Sequence, residues 1–145
     1  MTQHRFGQFA LAVSRIHHSI QKIKTAEMQR YDLKAVHVMC LYLLEERPEG
    51  FAPTVIVDQT GEDKAAISRA LKELRQRNLV ELAQEDGARA YRVPVRLTAE
   101  GMILAKEVHA TVHQYFDRMA PETTPEERAV FYRVLFQLSD NLTSE

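Results

Sequence analysis

Asp63-Lys64-Ala65-Ala66-Ile67-Ser68-Arg69-Ala70-Leu71-Lys72-Glu73-Leu74-Arg75-Gln76-Arg77-Asn78 is the stretch that decides how this chain folds. Asp63 stands just ahead of an apolar-periodic run, where a carboxylate can accept from the free N–H groups of a helix start. Ile67, Leu71 and Leu74 follow at i, i+4 and i+7, one narrow helical stripe. The stretch carries five basic residues, Lys64, Arg69, Lys72, Arg75 and Arg77, against one interior acid, Glu73. A helix of this makeup docks on a core through one face. It offers cations and small side chains, Ala65 and Ser68 among them, on another. Asn78 falls where the residue after a helix turns left-handed, a conformation Asn tolerates.

The flanks sharpen this reading. On the N-terminal side, residues 33–46 form a helix with Asp32 as N-cap and Val36, Cys40, Leu43 and Leu44 facing inward. Arg47-Pro48-Glu49-Gly50 ends it, and Pro53 keeps the following loop open. Thr54 is then expected to cap Val55-Ile56-Val57-Asp58-Gln59-Thr60. Three β-branched residues in a row fit a strand equally well by propensity. The Thr60-Gly61 turn and the helix behind it favour a short helix. On the C-terminal side, Val80 and Leu82 alternate as a strand, and Asp86-Gly87 is a strong hairpin signal. Tyr91, Val93 and Val95 form the return strand, with Arg92 and Arg96 on its other side. Pro94 cannot donate a ladder bond, so that strand lies at an edge. Helix, tight turn, second helix and two-stranded ribbon, in that order, is the layout of a winged helix-turn-helix, a module that reads duplex DNA.

Both ends of the chain add helices. Phe6, Phe9, Val13, Ile16, Ile20 and Ile23 make a heptad seam on a helix from about 5 to 28. Thr98 caps a long helix through about Met119, with Met102, Ala105, Val108, Val112, Tyr115, Phe116 and Met119 as its apolar positions. Pro121 breaks it. Thr124-Pro125-Glu126-Glu127 is a capping box with Pro at N1, and Phe131, Val134, Leu135, Leu138 and Leu142 stripe the last helix. These stripes exceed what a small winged helix can cover, so the terminal helices want a shared interface. A symmetric dimer supplies it and sets two reading helices about one turn of DNA apart.

Composition agrees. The 145 residues fit one domain, with 45% apolar and 27% charged residues. The net charge of −1 is unevenly spread. Residues 64–96 hold eight Lys/Arg and four acids, 8 − 4 = +4, whereas residues 98–145 hold four bases and eight acids, 4 − 8 = −4. A basic middle in an otherwise acidic chain is the footprint of a local phosphate-binding surface, or else of a solvated charged helix. No apolar run approaches the roughly 20 residues of a membrane helix. The N-terminus leads into an amphipathic helix rather than a signal sequence. With one cysteine, Cys40, a reducing cytoplasm is the default location.

On Asp63 to Leu74, the following Leu79-Val80, and Leu97-Thr98-Ala99-Glu100-Gly101 behind the hairpin, the chain resembles MarR-family transcriptional regulators over nearly its whole length. The resemblance implies a mainly α fold with a small β-wing: a single MarR-like domain, 1–145, with a winged helix-turn-helix lobe at about 33–97. Terminal dimerisation helices at about 5–28 and 98–143 flank it. It implies a homodimer in which the first, fifth and sixth helices interlock. The fourth helix enters the major groove of a pseudo-palindromic operator, and the wing reaches the minor groove. It implies repression relieved by a small aromatic effector, bound in a crevice that Phe9, His17, Tyr31, Met39 and Tyr42 fit as well as plain core packing does. Two departures stand out. The places of a common wing Asp-x-Arg pair hold Arg89 and Tyr91, and Asn78 replaces a common Gly.

The DNA-facing residues follow. Lys64, Ala65, Ser68 and Arg69 lie in the first turns of the fourth helix, where base edges are met; Arg takes guanine O6/N7 bidentately. Arg69 contacting phosphate only, or pairing with Glu73 at i+4, is the competing reading. Lys72 and Arg75 suit phosphates, and Arg89 and Arg92 suit a minor groove. His109 and His113 share the i, i+4 spacing of a metal pair, with His37 as a third ligand from the second helix. Such histidines more often have backbone or carboxylate partners, and no metal or other cofactor is assigned. Cys40 has no basic neighbour in sequence and reads as a buried structural thiol. No nucleophile elbow, P-loop or metalloprotease helix is present, so an enzyme is not expected. A protein-interaction winged helix without DNA binding is the alternative from another class. A metal-sensing regulator is a variant of the first reading.

Overall fold

A computed structural model describes residues 2–83 and 92–144. The expected Asp86-Gly87 hairpin, Arg89 and Tyr91 lie outside the described residues. Contacts divide the chain into two compact units, Met1–Val112 and His113–Glu145.

The first unit opens with α1, Thr2–Met28. Its seam is uncovered in the single chain at Phe6, Phe9, Val13 and Ile16, and half-buried at Ile20 and Ile23. Met28 anchors its end at 0% exposure. A 3₁₀ turn, Gln29–Tyr31, follows. Leu33 N–H then donates to Met28 O at 3.1 Å and Asp32 N–H to Gln29 O at 3.0 Å, with Asp32 left-handed at φ 54°. This pair of bonds closes a helix end. Asp32 is therefore the stop of the first helix, not the N-cap of the second, which corrects the sequence expectation.

α2 runs Ala35–Glu46 with Lys34 at the N-cap position. Cys40 and Leu44 are buried as expected, but so are His37, Val38 and Leu41. The helix is central: α1, α3, α4 and the sheet all pack on it, so more than one stripe is covered. α3, Pro53–Thr60, is helical rather than a strand. Pro53 occupies its first turn and Ala52 its N-cap, so Thr54 is not the cap. Proline has no N–H to satisfy and its fixed φ suits that position. Gly61 at φ 68° ends the helix by donating to Val57 O.

α4, Lys64–Gln76, buries Ile67, Ala70, Leu71 and Leu74. It stops in a double closure: Leu79 N–H donates to Leu74 O and Asn78 N–H to Arg75 O, both at 3.0 Å, with Asn78 at φ 60°. Strands β1, Val80–Leu82, and β2, Val95–Leu97, pair antiparallel with Val80 opposite Leu97. The return strand starts later than the alternation from Tyr91 suggests. Pro94 lacks an N–H, and only its carbonyl joins in, accepting from Ala83 N–H at 2.8 Å. Phe51 adds a bridge to Val95. Gly50, at φ 96°, permits it, since a Cβ there would strike the Val95 carbonyl.

α5, Ala99–Met119, begins in the first unit. Thr98 caps it by accepting from Gly101 N–H at 3.0 Å and donates to Asn78 O at 2.7 Å, while its own N–H reaches Leu79 O at 3.0 Å. Ala105 and Val108 are buried, and Met102 and Val112 pack against the core. In the second unit α6, Pro125–Thr143, starts as the capping box predicts, with Thr124 accepting from Glu127 N–H. Its apolar side chains stand open in the single chain, Phe131 at 57% exposure and Leu142 at 70%.

Gly101 lies against the Leu79 carbonyl with no room for a Cβ. Gly101→Ala is expected to destabilise the fold by about 1–3 kcal/mol, the usual cost of overpacking. A thermal or urea melt checks this, and an unchanged midpoint would refute the tight junction.

Candidate nucleic-acid interface

The interface is built on α4. Asp63 Oδ1 accepts from Ala65 N–H at 3.1 Å and fixes the first turn. The buried stripe of Ile67, Ala70, Leu71 and Leu74 sets the rotation of the helix about its axis. Lys64, Ala65, Ser68, Arg69, Lys72 and Arg75 are consequently all exposed. One helix face thus carries every α4 residue expected to meet DNA.

The electrostatics of that face depend on where Glu73 goes. Its Oε2 lies 2.8 Å from His37 Nε2 and its Oε1 3.9 Å from Lys34 Nζ. The imidazole contact is short but bent, since the ring N–H does not aim squarely at the oxygen. Arg77 also turns inward, donating to the carbonyls of Asp32 at 2.8 Å and Tyr31 at 2.9 Å. Glu73 therefore does not take Arg69 as its partner. Among the described residues, Lys64, Arg69, Lys72 and Arg75 make no side-chain hydrogen bond or ion pair. They remain available to an anionic partner.

Arg92 is exposed, and Arg96 pairs across the strands with Glu81 at 3.0 Å. Arg96 is thereby neutralised on the sheet surface. Between α3, α4 and the sheet lies a groove of about 590 Å³. Ile67, Leu71, Val80 and Val95 line it beside Lys72 and Arg75. None of the crevice residues expected from sequence lines this groove. Phe9 and His17 are exposed, and Met39 takes a 2.9 Å contact from Lys24 Nζ.

The histidines sit in separate surroundings. His37 is 4% exposed and its Nδ1 accepts from Lys34 N–H at 3.0 Å. Burial pushes its pKa below the ordinary histidine value, against the opposing pull of Glu73; Lys34 and Arg77 add to the lowering. His109 Nδ1 lies 3.1 Å from Glu45 Oε2, with its ring edge-on to Tyr42. His113 Nε2 stands 3.9 Å from Asp117 Oδ1. Each of these three histidines has a carboxylate beside it. Among the described residues no three His, Cys, Asp or Glu side chains gather as a metal group. The place of His37 beside Glu73 was missed in the sequence. The available signal is a capping box in which His replaces the usual Glu or Gln three residues after the N-cap.

Residues 31–90 match the MarR family model. Among solved structures, a MarR-family transcriptional regulator from Silicibacter pomeroyi is 23% identical, covering 90% of this chain and 86% of its own, with a TM-score of 0.79. The MepR–DNA complex of S. aureus is 15% identical over 92% of this chain and 97% of its own, TM-score 0.75. A Mycobacterium tuberculosis MarR-family protein, Rv2887, in complex with salicylic acid is 22% identical over 88% and 93%, TM-score 0.67. These likenesses establish a shared fold. Among curated proteins, none matches the chain significantly. No described helix is long and apolar enough to cross a membrane.

Cys40 is fully buried in the core, and burial, reinforced by Glu62, pushes its thiol up to about 12. The thiolate is the reactive form. Native protein at neutral pH is therefore expected to resist alkylation by iodoacetamide, with labelling appearing only in denaturant. Rapid native labelling, read by mass spectrometry, would refute this and reopen a sensor role.

Proposed function

From the match of residues 31–90 to the MarR family model and the shared fold, we propose that the chain is a MarR-type winged-helix transcription regulator rather than an enzyme, acting as a homodimeric, sequence-specific DNA-binding repressor released by a small aromatic effector. The observation that carries the proposal is the outward face of α4, which is cationic and has lost its one acid to His37. In a major groove, Lys64, Ala65, Ser68 and Arg69 meet base edges, and Arg69 takes a guanine bidentately. Lys72 and Arg75 hold phosphates, and Arg92, with Arg89 beside it in sequence, serves the minor groove. The exposed α4 residues include no aromatic, which disfavours a protein-docking surface. No metal or other cofactor is invoked.

A second copy of the chain is the proposed cover for the apolar side chains that α1 and α6 each leave exposed. α1, α5 and α6 then serve dimerisation, and the two-fold axis dictates a pseudo-palindromic operator. The working location is the cytoplasm, where DNA is at hand. For the effector, the salicylic acid complex of one fold relative supports an aromatic carboxylate. The groove beneath α4 pairs an apolar floor with Lys72 and Arg75, so a ligand there competes with DNA for the same cations.

Selection on random duplexes should return an inverted repeat. On the selected duplex, Arg69→Ala should cost about 1–3 kcal/mol and relax the preference at one base position. Arg75→Ala should weaken binding to specific and scrambled duplexes alike and shrink the salt slope by about one. Equal losses on both duplexes for Arg69→Ala would reduce it to a phosphate contact. Failure to select any duplex would sink the DNA-binding proposal.

The dimer has its own test. Val13→Lys with Ile16→Lys places charges on the open seam of α1 and should abolish dimers in light scattering. A folded dimer that survives both changes would exclude α1 from the interface.

A further inference from the structure

We infer that His37 is a positioning residue for DNA recognition: through Glu73 it keeps the single acid of α4 away from Arg69 and the DNA-facing surface. The inference rests on the DNA-binding function proposed above and adds to it a residue that touches no DNA.

Three observations lead to it. First, the tautomer is dictated by the backbone. His37 Nδ1 accepts the Lys34 N–H at 3.0 Å, so the ring proton sits on Nε2, the atom 2.8 Å from Glu73 Oε2. Which nitrogen carries the proton is commonly set by the bond the other one makes. A proton on Nδ1 as well would face a backbone donor, so the geometry selects the neutral ring, in keeping with its burial.

Second, Glu73 sits at i+4 from Arg69, the spacing at which a helix brings opposite charges together. Glu73 is still partly solvent-accessible, its side chain 41% exposed, so nothing but its partners keeps it from that alternative. Lys34 is a distant second partner at 3.9 Å and is itself 73% exposed. His37 is the buried member of the set.

Third, the groups around the ring leave only the loose Lys34 contact as a substitute for the latch. Lys34, Glu73 and Arg77 are the charged groups that act on it, and Arg77 is committed to the carbonyls of Tyr31 and Asp32. Without the imidazole, Glu73 is free to swing toward Arg69. There it would neutralise a base-reading cation and set a carboxylate against the phosphates.

The test is a double-mutant cycle read as affinity for the selected duplex. His37→Leu should weaken binding about tenfold, a mid-range coupling for residues in contact. Glu73→Gln added to His37→Leu should restore most of that loss, because a neutral amide no longer competes for Arg69. No loss in His37→Leu, or a loss that Glu73→Gln fails to rescue, would overturn the inference. If His37→Leu does not fold, imidazole ¹⁵N spectra of the wild-type protein decide. They should show Nε2–H with bare Nδ1, and no titration near the ordinary histidine value of about 6.5. An Nδ1–H tautomer or an ordinary titration would overturn the latch. The spectra need no DNA, so a chain that binds no duplex would defeat the proposed function while the latch is judged separately.

Discussion

The carbonyl of Leu79 is the point on which the winged-helix lobe depends. It accepts the N–H of Thr98 and lies against Gly101, whose missing Cβ leaves space for it. One residue earlier, Asn78 O takes the Thr98 hydroxyl. The end of α4, the start of the sheet and the start of α5 are thus joined within two peptide units. The Leu97-Thr98-x-x-Gly101 pattern has a physical meaning here. Leu97 fills the core beside β1, Thr98 caps α5 and ties it to α4, and Gly101 admits the carbonyl. The left-handed turn at Asn78 aims the chain into this junction. Asn serves in place of Gly because its side chain tolerates that conformation at modest cost.

Around the junction, the polar residues of α4 separate by direction. Glu73 and Arg77 turn toward the α1–α2 connection, where a buried imidazole and two backbone carbonyls receive them. Lys64, Arg69, Lys72 and Arg75 turn to solvent. A helix with four bases and one acid thereby turns its bases to solvent and its acid away from them. Exposed ion pairs on a helix contribute little to stability. Removing the acid from that surface consequently costs the fold little, while it concentrates positive potential where phosphates would lie.

The second unit and the seam of α1 show the opposite economy. Phe131, Phe136 and Leu142 on α6, and Phe6 and Leu11 on α1, stand open to solvent in the single chain. Apolar surface of this extent needs cover. The stability of such helices is then bound to whatever covers them rather than to their own hydrogen bonds.

Much of this was legible in the order of residues. The stripe Ile67, Leu71, Leu74, the Asp63 cap, the Thr124 capping box and the turn at Asn78 are local, and local rules found each of them. The cationic face of α4 was legible for the same reason: a helix wheel fixes which side chains share a side. Caps that depend on what comes before a helix were misread. Asp32 looks like an N-cap but closes α1, and Thr54 yields to Pro53, because both signals lie within two residues of competing ones. Tertiary contact alone decided the rest. Phe51 bridges to Val95, 44 positions away in sequence (95 − 51), and Gly50 matters only because that strand arrives. The groove under α4 exists only once α3 and the sheet stand beside it. Sequence set Glu73 four residues from Arg69 and offered them to each other; the fold gave Glu73 to His37 instead, 36 positions earlier (73 − 37), because burial fixed one partner in place and solvent left the other free.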